Sequence, residues 1–339
     1  MIIFNFRKKN ILIFLIAVFS TVILILTVLS KNNHKVGAQK EKKFIKYAEF
    51  TPTFEALEYT MNIDIKTHEN KNHISWIDTL AYLSSRYGGD FEKYRNSHVE
   101  DFVKRINDGE KIEDLTKNLK FFFYYKEVYS AVLGNFLGEY RIEKPEKEAK
   151  QEYGLKVFSP IAKTFPFCHY PDFGALRKYG YSRPHLGHDL MCAVGTPVIS
   201  VESGTVEAMG WNRYGGWRLG IRSDDKKRYY YYAHLRQNRP YHSEISEGSK
   251  VQAGDVIGYV GRTGYSTKEN MNNISQSHLH LGMELIFDES QKDSNNEIWI
   301  DLYSITKLLQ KNKSAVRREN STKEFFKNYK FEELSTGQS

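Results

Sequence analysis

A chain of 339 residues has room for about two domains and at least one substantial core, and 40% hydrophobic with 27% charged residues excludes a disordered chain. The formal charge of +8 gathers at the ends: residues 1–39 hold five Lys/Arg and no acid, residues 311–339 hold seven against four, and residues 40–310 balance at 37 against 37. A neutral body excludes a basic groove, so nucleic acid is not expected as a partner.

A short stub, residues 1–10, carries Arg7, Lys8 and Lys9 and leads into ILIFLIAVFSTVILILTVL at 11–29, nineteen residues without a charge. That length crosses the hydrocarbon core as one helix, so a transmembrane anchor is expected, with the stub inside and the rest of the chain outside the cytoplasm. Lys31, Lys35, Lys40, Lys42 and Lys43 follow the span and blunt this charge asymmetry, and only VGA at 36–38 hints at a cleavage site.

Residues 45–140 read as helical. Trp76, Leu80, Leu83 and Tyr87 recur at 4-3-4 spacing and stop at Gly88-Gly89; Val99, Phe102, Val103 and Ile106 repeat the stripe and stop at Asn107-Asp108-Gly109. Leu115, Leu119 and Phe122, then Val128, Val132 and Phe136, predict further helix as far as Gly138. These aromatics are core residues, and the region holds no catalytic constellation. Residues 141–155, charged and holding Pro145, read as a linker.

From 156 to 310 the pattern becomes β: PVISV, GTVEAM, WRLGIR, RYYYYA and DVIGYV alternate with glycine-containing turns, and 297–310 add a short strand and a helix. The fold class expected is therefore α+β, an anchor and a helical region followed by an all-β antiparallel domain. Residues 311–339 read as a charged, loosely ordered tail. Cys168 and Cys192 match no zinc-ribbon spacing and are equally consistent with a disulfide or two buried thiols.

Seven of the eleven histidines lie between 169 and 280. In SHLHLGMEL at 277–285, His278 and His280 share one strand face and Leu279 and Leu281 the other. In RPHLGHDL, His185 and Asp189 stand four apart with Gly187 between them, while His188 points the other way and is expected as an exposed imidazole in preference to a partner supporting the ligands. Two histidines and one carboxylate form the donor set of a catalytic zinc site with a free fourth position. His234, closing YYYYAHL, is a further candidate for the same cavity.

HLGHD at 185–189, GTPV and SGTV, YAHL at 232–235, the G-x-x-V-x-A-G-D-x-I-G run at 248–258, GRTGYS at 261–266 and HLH at 278–280 resemble, in this order, the lysostaphin/LytM-like zinc endopeptidases of bacterial cell walls. The resemblance covers about 156–290. It implies a small antiparallel β domain with a groove over a zinc ion, His185, Asp189 and His280 as metal ligands, and His234 and His278 as the two catalytic non-ligand histidines beside the attacking water. It also implies peptide bonds of peptidoglycan as substrate. Cross-bridge glycines, the D-alanyl cross-link and the L-Ala-D-Glu stem bond all stay open, as does which histidine acts as base. The GHDLM and YYYYAHLR contexts further resemble a sporulation-associated, LytH-like branch that trims spore-cortex peptides. The loop Thr267–Ser277 is longer than usual for the family, and Ser277 replaces a common proline. Trp211, Asn212, Tyr214 and Trp217 are candidate groove walls or core. A non-catalytic wall-binding or partner-binding scaffold is the alternative on the same fold.

Overall fold

Five helices open the region that the structure, a computed structural model, describes: residues 44–292 and 294–334. They are α1 (Phe54–Thr67), α2 (Trp76–Tyr87), α3 (Asn96–Asn107), the one-turn α4 (Ile112–Thr116) and α5 (Phe122–Leu133). Local chemistry sets the starts. The Thr53 hydroxyl accepts from the Ala56 N–H and the Ser75 hydroxyl from the Asp78 N–H, each at 3.3 Å, satisfying amides that a helix N-terminus leaves unpaired. The apolar stripes face inward: Trp76, Leu80, Leu83, Val99, Phe102, Val128 and Val132 are all buried. The last helix stops at Leu133 rather than near Gly138, because Leu137 already begins a strand.

That strand, β1 (Leu137–Glu143), pairs antiparallel with β2 (Lys150–Leu155), so the expected linker is a β-hairpin. Its charged residues are those of a solvated strand face, and the Tyr153 hydroxyl donates to the buried Asp64 carboxylate of α1 at 2.9 Å.

The expected loose tail is also ordered as far as residue 334. β15 (Val316–Arg318) and β16 (Phe325–Lys327) form a hairpin, and β17 (Lys330–Glu333) adds to the free edge of β1. Phe331 from this segment packs on Phe158 and Tyr140, an apolar contribution hidden among the surrounding lysines and glutamates. The segment 11–29 read as an anchor lies outside the described residues. Among the described residues no helix is long and apolar enough to cross a membrane.

The remaining strands are β3 (Cys168–His169), β4 (Leu176–Tyr179), β5 (Tyr181–Pro184), β6 (His188–Met191), β7 (Pro197–Ile199), β8 (Gly204–Asn212), β9 (Gly216–Ser223), β10 (Arg228–Ala233), β11 (Lys250–Val251), β12 (Val256–Tyr259), β13 (His278–Leu285) and β14 (Ile298–Trp299). The main sheet is antiparallel in the order β11-β8-β9-β10-β13-β6-β3, with β14 pairing the end of β13. Alternation splits its faces. Tyr230, Tyr232, Leu279, Leu281 and Met283 go into the core, while Tyr231, His278 and His280 take the opposite side. Cys168 and Cys192 are both free thiols, the first exposed and the second buried.

Helical and β-rich parts are joined by a buried charge network. Arg228, fully buried, donates through Nε and Nη2 to both Glu202 oxygens at 2.8 and 2.9 Å, and through Nη2 to Asp225 at 2.8 Å. Its Nη1 donates to the Ala131 carbonyl of α5. Glu202 also accepts from Asn135 Nδ2 at 2.7 Å and from the Tyr230 hydroxyl at 2.8 Å. Every polar atom of the pair has a partner, which is the condition under which buried charges persist. Glu202→Ala leaves the guanidinium in the core without its main counter-charge and is expected to cost about 3–5 kcal/mol. Equilibrium denaturation checks this; a loss below about 1 kcal/mol, typical of an exposed pair, would remove the network from its structural role.

Candidate metal centre

β10, β13 and β6 lie side by side, and their register puts Ala233 opposite His280 and His280 opposite Asp189. Residues opposite one another across an antiparallel pair point to the same face. Asp189 and His280 are thus fixed together by strand pairing, and His278 joins them two residues back. His185 arrives differently. It follows the β4–β5 hairpin, whose turn is closed by Gly180 at φ 78°, and Gly187 lets the chain pass beneath the His280 ring. A Cβ on Gly187 would come within 2.5 Å of His280 Cε1, so only glycine fits this approach.

The outcome is a tight triangle. His185 Nε2, His280 Nδ1 and Asp189 Oδ1 stand 2.9, 3.0 and 3.1 Å apart. A tetrahedral cation about 2.0–2.1 Å from each donor would hold them about 3.3 Å apart. The set needs only a few tenths of an ångström to accept one, and these three are the group of metal-capable side chains found among the described residues. The chemistry also fits: two imidazoles and one carboxylate are zinc donors, and all three are largely buried or half-buried.

A buried set of polar partners supports the ligands. His185 Nδ1 lies 3.2 Å from Asp172 Oδ2 and 3.1 Å from the Asp172 carbonyl, so its N–H is spent there and Nε2 faces the site. Arg177 donates through Nη2 to Asp172 Oδ2 at 2.8 Å and to Asp189 Oδ2 at 3.0 Å, holding the Asp189 oxygen that turns away from the triangle. His188 is fully buried, not exposed. Its Nδ1 sits 3.2 Å from Asp172 Oδ1 and its Nε2 2.7 Å from His169 Nδ1. It points away from the triangle, as its parity in β6 requires, but Asp172 reaches both faces of this near-edge strand and ties the two histidines together.

Electrostatics follow from this crowding. Burial works against charge on His185, yet the Asp172 and Asp189 carboxylates outweigh it and raise the imidazole to about 9. Burial also penalises Asp189, and hydrogen bonds with His185 and His280 nonetheless hold it far below the usual carboxylate range. Burial and the neighbouring His278 and His280 push His234 down to about 3.

His234 and His278 lie against the triangle, with ring centroids 4.7 Å apart and His234 5.9 Å from His280. Each donates Nδ1–H to a backbone carbonyl at 2.8 Å, His234 to Thr263 and His278 to Gln276. Nε2 is therefore the ring nitrogen that each leaves for the groove. His234 does so from a left-handed backbone, φ 59°, a strained state for a residue with a side chain.

A groove runs over these residues. Asn212 and Tyr214 line it, as do Asn273 to Gln276 of the long loop before β13. Trp211 and Trp217 do not: they meet edge to face at 5.7 Å, and Trp217 Nε1 donates to Asn270. Asp172, Arg177 and His169 went unread in the sequence. Alternation around Gly180 in LRKYGYSRP was the available signal, because that hairpin brings Asp172 back onto His185.

Residues 183–294 match the family model "Peptidase family M23". Among characterised proteins, the chain is 39% identical over 124 residues to the L-Ala–D-Glu endopeptidase of Bacillus subtilis (strain 168), a stretch covering 37% of this chain and 36% of that one. It is 36% identical over 89 residues to lysostaphin of Staphylococcus simulans, 26% of this chain and 17% of that one. The matched stretch thus spans about a third or less of the length of these relatives. A solved structure named for a LytM glycyl-glycine endopeptidase, from Ruminococcus gnavus, superposes over 80% of this chain and 92% of its own with a TM-score of 0.52 at 20% identity, a likeness of fold that extends beyond the matched domain. Residues 183–294 are thus similar to Peptidase family M23, and His185, Asp189 and His280 within them form a group that could hold a metal ion.

Proposed function

We propose that the protein is a zinc-dependent endopeptidase that hydrolyses peptide bonds in bacterial peptidoglycan, with the L-Ala–D-Glu stem bond as its target. The observation that carries this reading is the triangle His185, Asp189, His280 with two further imidazoles presenting free Nε2 atoms on the same face. The choice of bond is supported by the longer and closer of the two sequence matches, to an L-Ala–D-Glu endopeptidase. The substrate lies outside the cytoplasm, so the expected anchor at 11–29 would hold the domain at the outer membrane face.

His185, Asp189 and His280 would hold the zinc, which when bound polarises a carbonyl and makes water a nucleophile near neutral pH. The other histidines move the protons. A water between them and the scissile carbonyl gives its proton to His278 Nε2, and Asp189 Oδ1, 3.6 Å from that atom, steadies the imidazolium that forms. The same Nε2–H then protonates the departing amine. His234, which resists protonation, accepts a hydrogen bond at Nε2 and orients the water or the substrate N–H. Asp172 fixes the His185 tautomer so that Nε2, not Nδ1, serves as donor.

Alanine at His185, Asp189 or His280 is expected to abolish zinc retention, measured as metal content after gel filtration. His278→Ala should retain zinc and lose at least about 100-fold in turnover, the usual worth of a general acid-base group, followed as new amino groups released from purified peptidoglycan. Normal digestion by that variant would remove His278 from the proton path. Asp172→Ala should weaken zinc binding about 10- to 100-fold in chelator competition; unchanged affinity would leave Asp172 a purely structural residue.

A further inference from the structure

We propose that Arg183 and Arg218 form a carboxylate-binding subsite beside the His185–Asp189–His280 triangle, selecting peptides in which the residue next to the scissile amide carries a free carboxylate. The proposal rests on the endopeptidase reading and deepens it.

Three other arginines of this domain are matched with carboxylates: Arg177 with Asp172 and Asp189, Arg222 with Glu207 and Glu289, and Arg228 with Glu202 and Asp225. Arg183 differs. It lies on β5, two residues before His185, and lines the groove. Its guanidinium carbon stands 4.3 Å from the Tyr214 ring centroid and 5.5 Å from that of Tyr265, so aromatic faces hold it in place. Its Nη1 is buried with no hydrogen-bond partner among the described residues. An unsatisfied buried N–H on a cation is costly, and it persists where a ligand completes it.

Arg218 comes from the sheet floor. Arg218 lies on β9 two residues before Gly220, which pairs with Tyr231, so alternation turns both to one face. It shares the groove face with Tyr231 and lines the same groove. The Tyr231 ring centroid is 5.9 Å from that of His280. Arg183, Arg218, Tyr231 and His280 thus line one groove. Of the groove acids, Asp189 is held by His185, His280 and Arg177, and the glutamates stand elsewhere. Glu284 is opposite Tyr229, a two-residue step of about 7 Å along the strand; Glu207 is bound to Arg222 and Lys292, and Glu297 accepts from Trp299 Nε1.

An arginine fork matches the two oxygens of a carboxylate, and two such forks reject a neutral residue by leaving their donors unpaired. A D-Glu residue keeps one free carboxylate however it is linked. A glycyl-glycine bond offers none, so the pair would separate the two activities named among the similar proteins.

The test uses the full-length, zinc-loaded chain and two synthetic peptides, one with L-Ala–D-Glu and one with D-Gln in place of D-Glu. The wild type is expected to favour the D-Glu peptide in kcat/KM by about 10- to 100-fold, the worth of a charge-assisted contact. That ratio should fall toward one in Arg183→Gln and in Arg218→Gln, and partly recover in Arg183→Lys. A folding defect would lower both peptides together and leave the ratio unmoved. Equal use of both peptides by the wild type, or a ratio untouched in both glutamine variants, overturns the subsite while leaving the endopeptidase reading standing. If neither peptide is cut, that reading of the bond fails, and calorimetric binding of the same two peptides decides the subsite: preference for D-Glu that is lost in the variants supports it, and equal binding ends it.

Discussion

Asp189 is a carboxylate taken largely out of water and set between two imidazoles on a sheet face, and most of the β-rich part of the chain is arranged around that placement. Desolvating an anion is costly unless positive charge or hydrogen-bond donors meet it. Here His185 and His280 meet one oxygen and Arg177 the other. A divalent cation in the triangle replaces proton-shared contacts with coordination, which is the most effective neutralisation such a cluster can obtain. The strand register is the mechanical counterpart. Because His280 pairs with both Ala233 and Asp189, a slip of one residue in β13 would send both histidines into the core and bring Leu279 to the site.

Support is distributed around that centre in layers of chain that are distant in sequence. The loop and hairpin at 170–184 bring Asp172 and Arg177 behind the ligands, while His188 and His169 continue the contact into the back of the sheet, where Gln310 reaches His169. The helical region is joined to the same sheet through Arg228 and Glu202. It therefore belongs to one packed body with the peptidase fold instead of hanging from a linker. How firmly the metal ligands are held thus depends on contacts reaching well beyond the groove.

Much of this was legible in the sequence, for definable reasons. Period-two and period-3.6 patterning located the main strands and the first helices, since those elements each bury one face. The three donors were legible because His-x-His on a strand and His-x3-Asp across a glycine constrain direction as well as spacing. What escaped was charged or mixed in composition. The hairpin at 137–155 and the strands at 316–333 are solvated on one face and draw their stability from a few aromatics, such as Phe331, and from edge pairing, which no local period reveals. The burial of His188 has no local signal, because it depends on Asp172, which the chain around the β4–β5 hairpin brings close. Trp211 and Trp217 turned from the groove because each has a closer partner in the other.

The central claim is that His185, Asp189 and His280 together grip one zinc ion. X-ray absorption at the zinc edge of the loaded protein tests it most directly. The account predicts two imidazole nitrogens and one carboxylate oxygen at about 2.0–2.2 Å, with the imidazole signal reduced by half in His280→Ala if any metal stays bound. A zinc shell of unchanged composition in that variant, or one containing sulfur from Cys168 or Cys192, would contradict it.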